Sequence, residues 1–394
     1  MAPSKKMKNC LKLLSPKVLQ VIHDRLCLAL SYAGGKTAGG KKKKSVCLLR
    51  LDGMGDLIIF LDAIRGYGEY FKKDEYRITV IAENWLCDLL KNDPDADEVI
   101  GLDGKRFRKD RTYRLQFLKM IRRKNFDVFV NSCILRELTF GDILAYASRA
   151  GRRYGFSAQP DQIRERLLGD RFYTGLISDP KWTVHEIERN AALVRAAGHK
   201  EFKTGQPRLR GSGPPGKGGY FVLVPGASFE SKRWPPERFA ELALVLHSKL
   251  GLVPVLIGSE ADRELAGAIM GFSPEVPWKN ETGKLGLAEL AYTLAGADFT
   301  VSNCSGPMHL SLAAGTTTFV LAPGGEFTAY PNYPGRLKQG LHVISSAGQS
   351  CFDCRWNCKY AMDKKEKSVL PCVLDITVSA AVTAVMSYQM VPSN

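Results

Sequence analysis

No stretch of this chain approaches eighteen consecutive apolar residues, so no segment reads as a membrane-spanning helix. The first residues lack the apolar core and small-residue cleavage site of a secretory signal, and the cytosol is the expected working compartment. Acidic residues are short: 40 Asp and Glu stand against 56 Lys and Arg, giving a net charge of +16. No nucleic-acid motif or aromatic-interleaved basic groove accompanies that charge, which argues against nucleic acid as partner. The cysteines include no clean pair of CxxC knuckles, although there are ten of them. What remains is the profile of a globular protein, 45% hydrophobic and 24% charged. At 394 residues it is long enough for two domains.

The positive excess is local. Residues 1–44 carry eleven Lys or Arg against a single acid, Asp24, so +10 of the +16 resides there. Leu11, Leu14, Val18, Ile22, Leu26 and Leu30 interleave this basic extension. Two readings stand: a segment lying on an anionic membrane surface, or a solvated tail with a short helix docked on the body. Six cysteines are scattered. Four cluster at Cys351, Cys354, Cys358 and Cys372, with two, three and thirteen residues between them. In a reduced compartment such clustering suggests zinc or an iron–sulfur site, or else a local thiol cluster with a packing role.

Along the chain, short apolar runs alternate with helical periodicity. Ser45–Leu51, Arg77–Ala82, Glu98–Leu102 and Phe126–Asn131 read as buried strands. Helical stretches fall at 57–71, 84–90 and 113–123. The Gly- and Pro-rich run around 200–219 reads as a linker, after which the alternation restarts. Strands are expected at Tyr220–Val224, Val253–Ile257, Asp298–Ser302 and Thr317–Leu321, with helices at 236–250, 261–270, 287–295 and 307–314. The domains expected are a basic extension (1–44), an N-terminal acceptor-binding half (45–210) and a C-terminal donor-binding half with the cysteine cluster (211–394). Two doubly wound α/β halves of this kind face a cleft, with ligands beyond the carboxyl ends of the strands.

Three strand-to-helix loops carry chemistry. The first, Gly53-Met-Gly55-Asp56, lets backbone approach a ligand and sets a carboxylate at a helix mouth; it has no GxGxxG, so it gives little support to dinucleotide binding. The second runs from Pro225 to Pro236, where Ser228 offers a hydroxyl, and Lys232 and Arg233 offer positive charge before a Pro-started helix. The third, Ser302 to His309, aims backbone N–H groups from Ser305 onward at an anion, with the helix dipole adding attraction. Together they describe a diphosphate held by the C-terminal half and a carboxylate set to act on a nucleophile.

At this point a resemblance becomes specific. Leu49-Arg-Leu-Asp-Gly-Met-Gly-Asp56, Pro225-Gly-Ala-Ser228, Lys232-Arg-Trp-Pro235, Ile257-Gly-Ser-Glu260, Thr282 to Leu290 and Val301-Ser-Asn-Cys-Ser-Gly-Pro-Met-His309 occur in one order. In that order they resemble glycosyltransferase family 9, the ADP-heptose:lipopolysaccharide heptosyltransferases, over about residues 45–390. The resemblance implies a GT-B fold, two Rossmann-like doubly wound domains facing a central cleft. It implies Asp56 as general base, with Gly53 and Gly55 in the acceptor loop. Lys232 and Ser228 then serve the donor phosphates, Glu260 the ribose and Leu285 the adenine. Ser305, Gly306 and His309 receive diphosphate and sugar. The chemistry implied is inverting transfer of a sugar to an anionic glycolipid at the cytoplasmic face of the inner membrane. It needs no cofactor, because fixed protein charge takes the place of a cation. Arg106, Arg108, Arg111, Arg149, Arg152 and Arg153 are candidates to meet the acceptor's charge.

The chain departs from the family at Cys304, where members usually carry Asp. A neutral thiol accepts hydrogen bonds more weakly than a carboxylate, with Asn303 alongside as a stand-in. An altered donor sugar, a non-catalytic nucleotide-sugar-binding module, a sugar-nucleotide epimerase and a basic membrane- or nucleic-acid-binding protein are the rival readings.

Overall fold

A computed structural model of the chain describes residues 15–30, 43–178, 184–210, 216, 218–325, 327–346, 348–360 and 368–389. Most of the basic extension and most of the Gly- and Pro-rich run after residue 210 therefore lie outside the described residues. The chain sorts into two compact units. The first gathers Met1–Gly53, Phe60–Lys181 and Ile187–Thr204; the second takes Gly205–Asn394 together with Met54–Ile59 and Trp182–Glu186.

In the first unit, strands β1 (Lys44–Arg50), β2 (Tyr76–Glu83), β3 (Glu98–Leu102), β4 (Val128–Asn131), β5 (Arg152–Phe156) and β6 (Gly175–Ile177) form one parallel sheet in the order β3-β2-β1-β4-β5-β6. Val46 to Leu49 of β1 are all fully buried, as expected where helices cover both faces of a parallel sheet. The intervening helices are α2 (Met54–Tyr70), α3 (Gly104–Lys109), α4 (Arg111–Lys124), α5 (Ile143–Ser148) and α6 (Glu186–Ala197). Asp103 and Asp110 cap α3 and α4 by accepting from the backbone N–H of Arg106 and Tyr113. The helical stretch read at 84–90 is a 3-10 helix, Asn84–Leu89.

A helix ahead of the sheet, α1 (Pro16–Leu30), belongs to this unit. Its Val18, Val21 and Leu28 enter the core with Phe117, Leu118 and Phe172. The Arg114 Nε donates to Asp24 at 2.7 Å, with both side chains 2% exposed or less, and Arg122 donates to the Leu28 carbonyl at 2.9 Å. The lone acid of the extension is therefore the residue that fastens its helix. A buried pair of this kind fixes position, because breaking it strands a charge in a poor solvent.

The second unit repeats the plan. Strands β7 (Tyr220–Val224), β8 (Val253–Leu256), β9 (Lys279–Asn280), β10 (Thr300–Asn303), β11 (Thr318–Leu321) and β12 (Leu341–Ile344) run parallel in the order β12-β11-β10-β7-β8-β9. Helices α7 (Pro236–Leu250), α8 (Arg263–Phe272), α9 (Leu287–Gly296), α10 (Gly306–Ala313), α11 (Pro371–Leu374) and α12 (Val378–Gln389) cover it. Where helix was read from residue 261, a 3-10 turn, Glu260–Asp262, comes first and α8 follows. Both sheets have the doubly wound order in which the chain reverses direction beside the first strand. That places the switch points between β1 and β4 and between β7 and β10, where a crevice opens at the strands' carboxyl ends.

Candidate active site

The second unit's switch point is closed by one side chain. Asn303, fully buried at the end of β10, accepts from the Trp234 backbone N–H at 3.2 Å and donates to the Pro225 carbonyl at 2.7 Å. It thus ties the loop after β7 to the loop after β10. Its amide is spent on this staple, so Asn303 does not stand in for the family's missing Asp as the sequence suggested. Trp234 is wholly buried and donates from its indole to the Ile376 carbonyl at 2.8 Å, which anchors the start of α7.

Around that staple, the phosphate-loop residues take up definite places. Ser305 is the N-cap of α10, and its Oγ is buried without a hydrogen-bond partner among the described residues. A buried hydroxyl in that condition carries a cost of about 1–3 kcal/mol until something accepts from it, and it sits at a helix mouth that favours anions. Gly306 opens the helix with Pro307 behind it. Lys232 ends a 3-10 turn, and its Nζ lies 3.8 Å from the centre of the Trp356 ring and 5.0 Å from that of Phe229. Ser228 is exposed on the same loop. Arg233, beside Lys232 in the sequence, meets Asp262 at 3.5 Å.

Asp56 stands in the first turn of α2, within the segment that packs as part of the second unit. Its Oδ1 accepts from the Tyr330 hydroxyl at 3.2 Å. Two glycines allow this approach. A Cβ on Gly55 would come within 2.9 Å of the His309 ring, and one on Gly306 within 2.9 Å of the Met54 Cβ and 3.3 Å of the Gly55 nitrogen. The first turn of α2 therefore rests directly on the first turn of α10. Gly53, by contrast, lies exposed beyond β1 and belongs to the first unit.

His309 is 3% exposed and shares a hydrogen bond with the Tyr333 hydroxyl at 2.9 Å. Burial pushes its imidazole down to about 3, so it is neutral at pH 7 and brings no cationic charge to a phosphate. An unfolded His takes a proton below about 6.5 while the folded one waits until about 3, so stability conferred here is present above 6.5 and lost as pH falls. Between pH 6.5 and 5 the loss amounts to roughly 2 kcal/mol. Melting temperatures at pH 7 and pH 5 should show His309→Asn losing less on acidification than the parent chain.

The remaining donor-side candidates lie on neighbouring loops. Glu260 follows β8, is 72% exposed and pairs with Arg263 at 2.8 Å. It abuts Gly283, whose φ of +71° is a left-handed value and where a Cβ would fall 2.6 Å from the carboxylate. Leu285, half-buried, comes two residues later.

The four clustered cysteines do come together. Cys351, Cys354, Cys358 and Cys372 line one cavity of ≈ 10 Å³, room for about one water. Burial pushes the Cys354 and Cys372 thiols up, and the Cys372 sulfur accepts from the Gly324 N–H at 3.4 Å. Among the described residues, no three His, Cys, Asp or Glu side chains converge closely enough to hold a metal ion. The segment does something else. Asp353, Arg355 and Trp356 all hold left-handed backbone, at φ 62°, 54° and 59°, which non-glycine residues adopt only at a cost. This tight loop packs the Trp356 ring where a Cβ on Gly325 would lie 2.5 Å away, and sets its face under Lys232. Tyr330, Tyr333 and Trp356 escaped the sequence reading. Their only signals are the turn-like Tyr330-Pro-Asn-Tyr-Pro334 run and the cysteines flanking the tryptophan.

A sequence model described as glycosyltransferase family 9 (heptosyltransferase) matches residues 114–321, just over half the chain. The chain belongs to glycosyltransferase family 9. It is therefore a glycosyltransferase. The lipopolysaccharide core heptosyltransferase OpsX of Haemophilus influenzae is 25% identical over 291 residues, 69% of this chain and 77% of that one. In fold, this family 9 enzyme is similar to the family 9 glycosyl transferase of Veillonella parvula, with a TM-score of 0.70 at 19% identity, covering 89% of this chain and 98% of that one. It is likewise similar to E. coli heptosyltransferase WaaC solved with ADP-2-deoxy-2-fluoro heptose, with a TM-score of 0.65 at 19% identity over 87% and 99% of the two chains. Among the described residues, no helix of the family 9 enzyme is long and apolar enough to cross a membrane.

Proposed function

We propose that this enzyme transfers a heptose from ADP-heptose to an anionic glycolipid of the lipopolysaccharide core type, with inversion at the anomeric carbon, at the cytoplasmic face of a membrane. The observation that carries the reading is the seating of Asp56, held by Tyr330, on the same helix mouth where the Ser305 hydroxyl lacks a partner. The donor in the WaaC complex and the name of the Haemophilus relative favour this sugar and acceptor.

In this mechanism Asp56 takes the proton of the acceptor hydroxyl as its oxygen bonds to the anomeric carbon. The bond from that carbon to the diphosphate breaks on the opposite face, and the nucleoside diphosphate leaves with the electron pair. Lys232, the N–H groups at Ser305 and Gly306 and the α10 dipole stabilise the charge that gathers on it. Ser228 assists at the phosphates, Glu260 holds the ribose and Leu285 packs on the adenine. His309, neutral, keeps the α2 and α10 turns in register. Cys304 leaves the sugar side of the site without a carboxylate. The cysteine segment acts through Trp356 by positioning Lys232, and no step is routed through zinc or an iron–sulfur cluster.

Lys232 gives the test. Lys232→Ala should weaken ADP binding by about tenfold to a hundredfold, the worth of a charged hydrogen bond. Trp356→Leu should weaken it less, through a mispositioned ammonium. Calorimetric titration with ADP reads both. Equal affinity in Lys232→Ala would remove the lysine from the phosphate site.

A further inference from the structure

We infer that the first unit carries a second binding site, for the phosphate headgroup of an anionic membrane lipid, in the cavity under α1. This takes up the membrane side of the reading above, but at a place of its own. The cavity measures ≈ 640 Å³ and lies between α1, α5 and the segment leading into β6. Arg149 is the C-cap of α5, Arg153 is the second residue of β5, and Arg171 with Phe172 precedes β6, so the site sits at the amino ends of these parallel strands. Gly53 and the rest of the first loop lie beyond the carboxyl end of β1, at the opposite edge of the same sheet.

The lining has the two halves of a lipid-headgroup site. Its charged part is Arg25, Arg149, Arg153 and Arg171, with no carboxylate among the lining residues. Two of these guanidiniums are held in place: Arg25 lies 4.9 Å from the Tyr146 ring centre, and Arg153 Nε donates to the Phe172 carbonyl at 2.5 Å. Its apolar part is Val21, Ile22, Leu168 and Phe172. From Ile22 the apolar surface continues outward along α1, where Leu19, Ile22 and Leu26 are 59%, 47% and 59% exposed at helical spacing. The Asp24–Arg114 pair holds that stripe facing out. A soluble anion would use the arginines and leave the stripe in water. A leaflet of anionic lipid uses both, phosphates against the guanidiniums and acyl chains against the leucines.

The experiment is co-sedimentation of the full chain with phosphatidylcholine vesicles, with and without phosphatidylglycerol. The parent chain should bind the anionic vesicles and not the neutral ones. At about fivefold per arginine at an anionic surface, Arg25→Glu with Arg171→Glu should lower partitioning at least ~25-fold. Leu19→Ser with Leu26→Ser should lower it as well. Unchanged partitioning of the double charge reversal overturns the site. So does stabilisation by inorganic phosphate that depends on Arg25 and Arg171 without vesicle binding, which would make this a free-anion site. ADP affinity, titrated in the same samples, should be unaltered by either pair of substitutions. Lost vesicle binding with intact ADP binding separates this site from the donor site, and failure here leaves the transfer reading standing.

Discussion

Asp56→Asn is expected to bind ADP as the parent does while its turnover with a glycolipid acceptor falls by about two to four orders of magnitude. The substitution is nearly isosteric, and the carboxamide oxygen can still accept from the Tyr330 hydroxyl that meets Asp56 at 3.2 Å. The tight seating of Met54 and Gly55 against Gly306 and His309 does not involve the carboxylate, so the loop keeps its place. Only the ability to take a proton is removed. A structural role for Asp56 predicts the reverse pattern, with melting temperature and nucleotide affinity falling together. Initial rates, ADP titration and a thermal melt on the same preparation distinguish the two. Turnover within a few-fold of the parent would take Asp56 out of the mechanism.

Asn303→Ala should be the most damaging single change on the donor side. It leaves two buried backbone groups, the Trp234 N–H and the Pro225 carbonyl, without the partner they meet at 3.2 and 2.7 Å. Each orphaned group costs about 1–3 kcal/mol, so the pair together approaches the cost of a large core truncation. The functional effect should exceed that of Lys232→Ala, because the staple sets both the loop carrying Lys232 and the strand end leading to Ser305. ADP affinity should fall by more than a hundredfold, on the order of 3 kcal/mol, with the melting temperature falling in parallel. A variant that melts like the parent and binds ADP normally would show that the two loops hold their places without the staple.

Much of this protein is legible along the chain because its parallel strands are buried on both faces. Val46–Leu49 and Phe221–Val224 read as unbroken apolar runs for that reason, and Tyr220–Val224, Glu98–Leu102 and the helix 236–250 fall where the periodicity puts them. Four strands escaped, among them β12, Leu341–Ile344, whose short apolar run is broken by His342. β5 opens on Arg152-Arg153, β6 has three residues and β9 two, and their strand character comes from the neighbour they pair with.

Local pattern along the chain is enough for the doubly wound architecture and for the glycine, serine and lysine loops that follow particular strands, since both depend on periodicity and on backbone conformations that few residues adopt. Tertiary structure alone decided the partners. It set Arg233 beside Asp262 and Asn303 in the staple, set the thiol-bearing segment to hold Trp356 under Lys232, and used Asp24 to fasten α1 to Arg114. Burial patterns tell which face of an element leaves water. They do not tell which distant residue it meets there, because that follows from how the layers pack across scores of intervening positions.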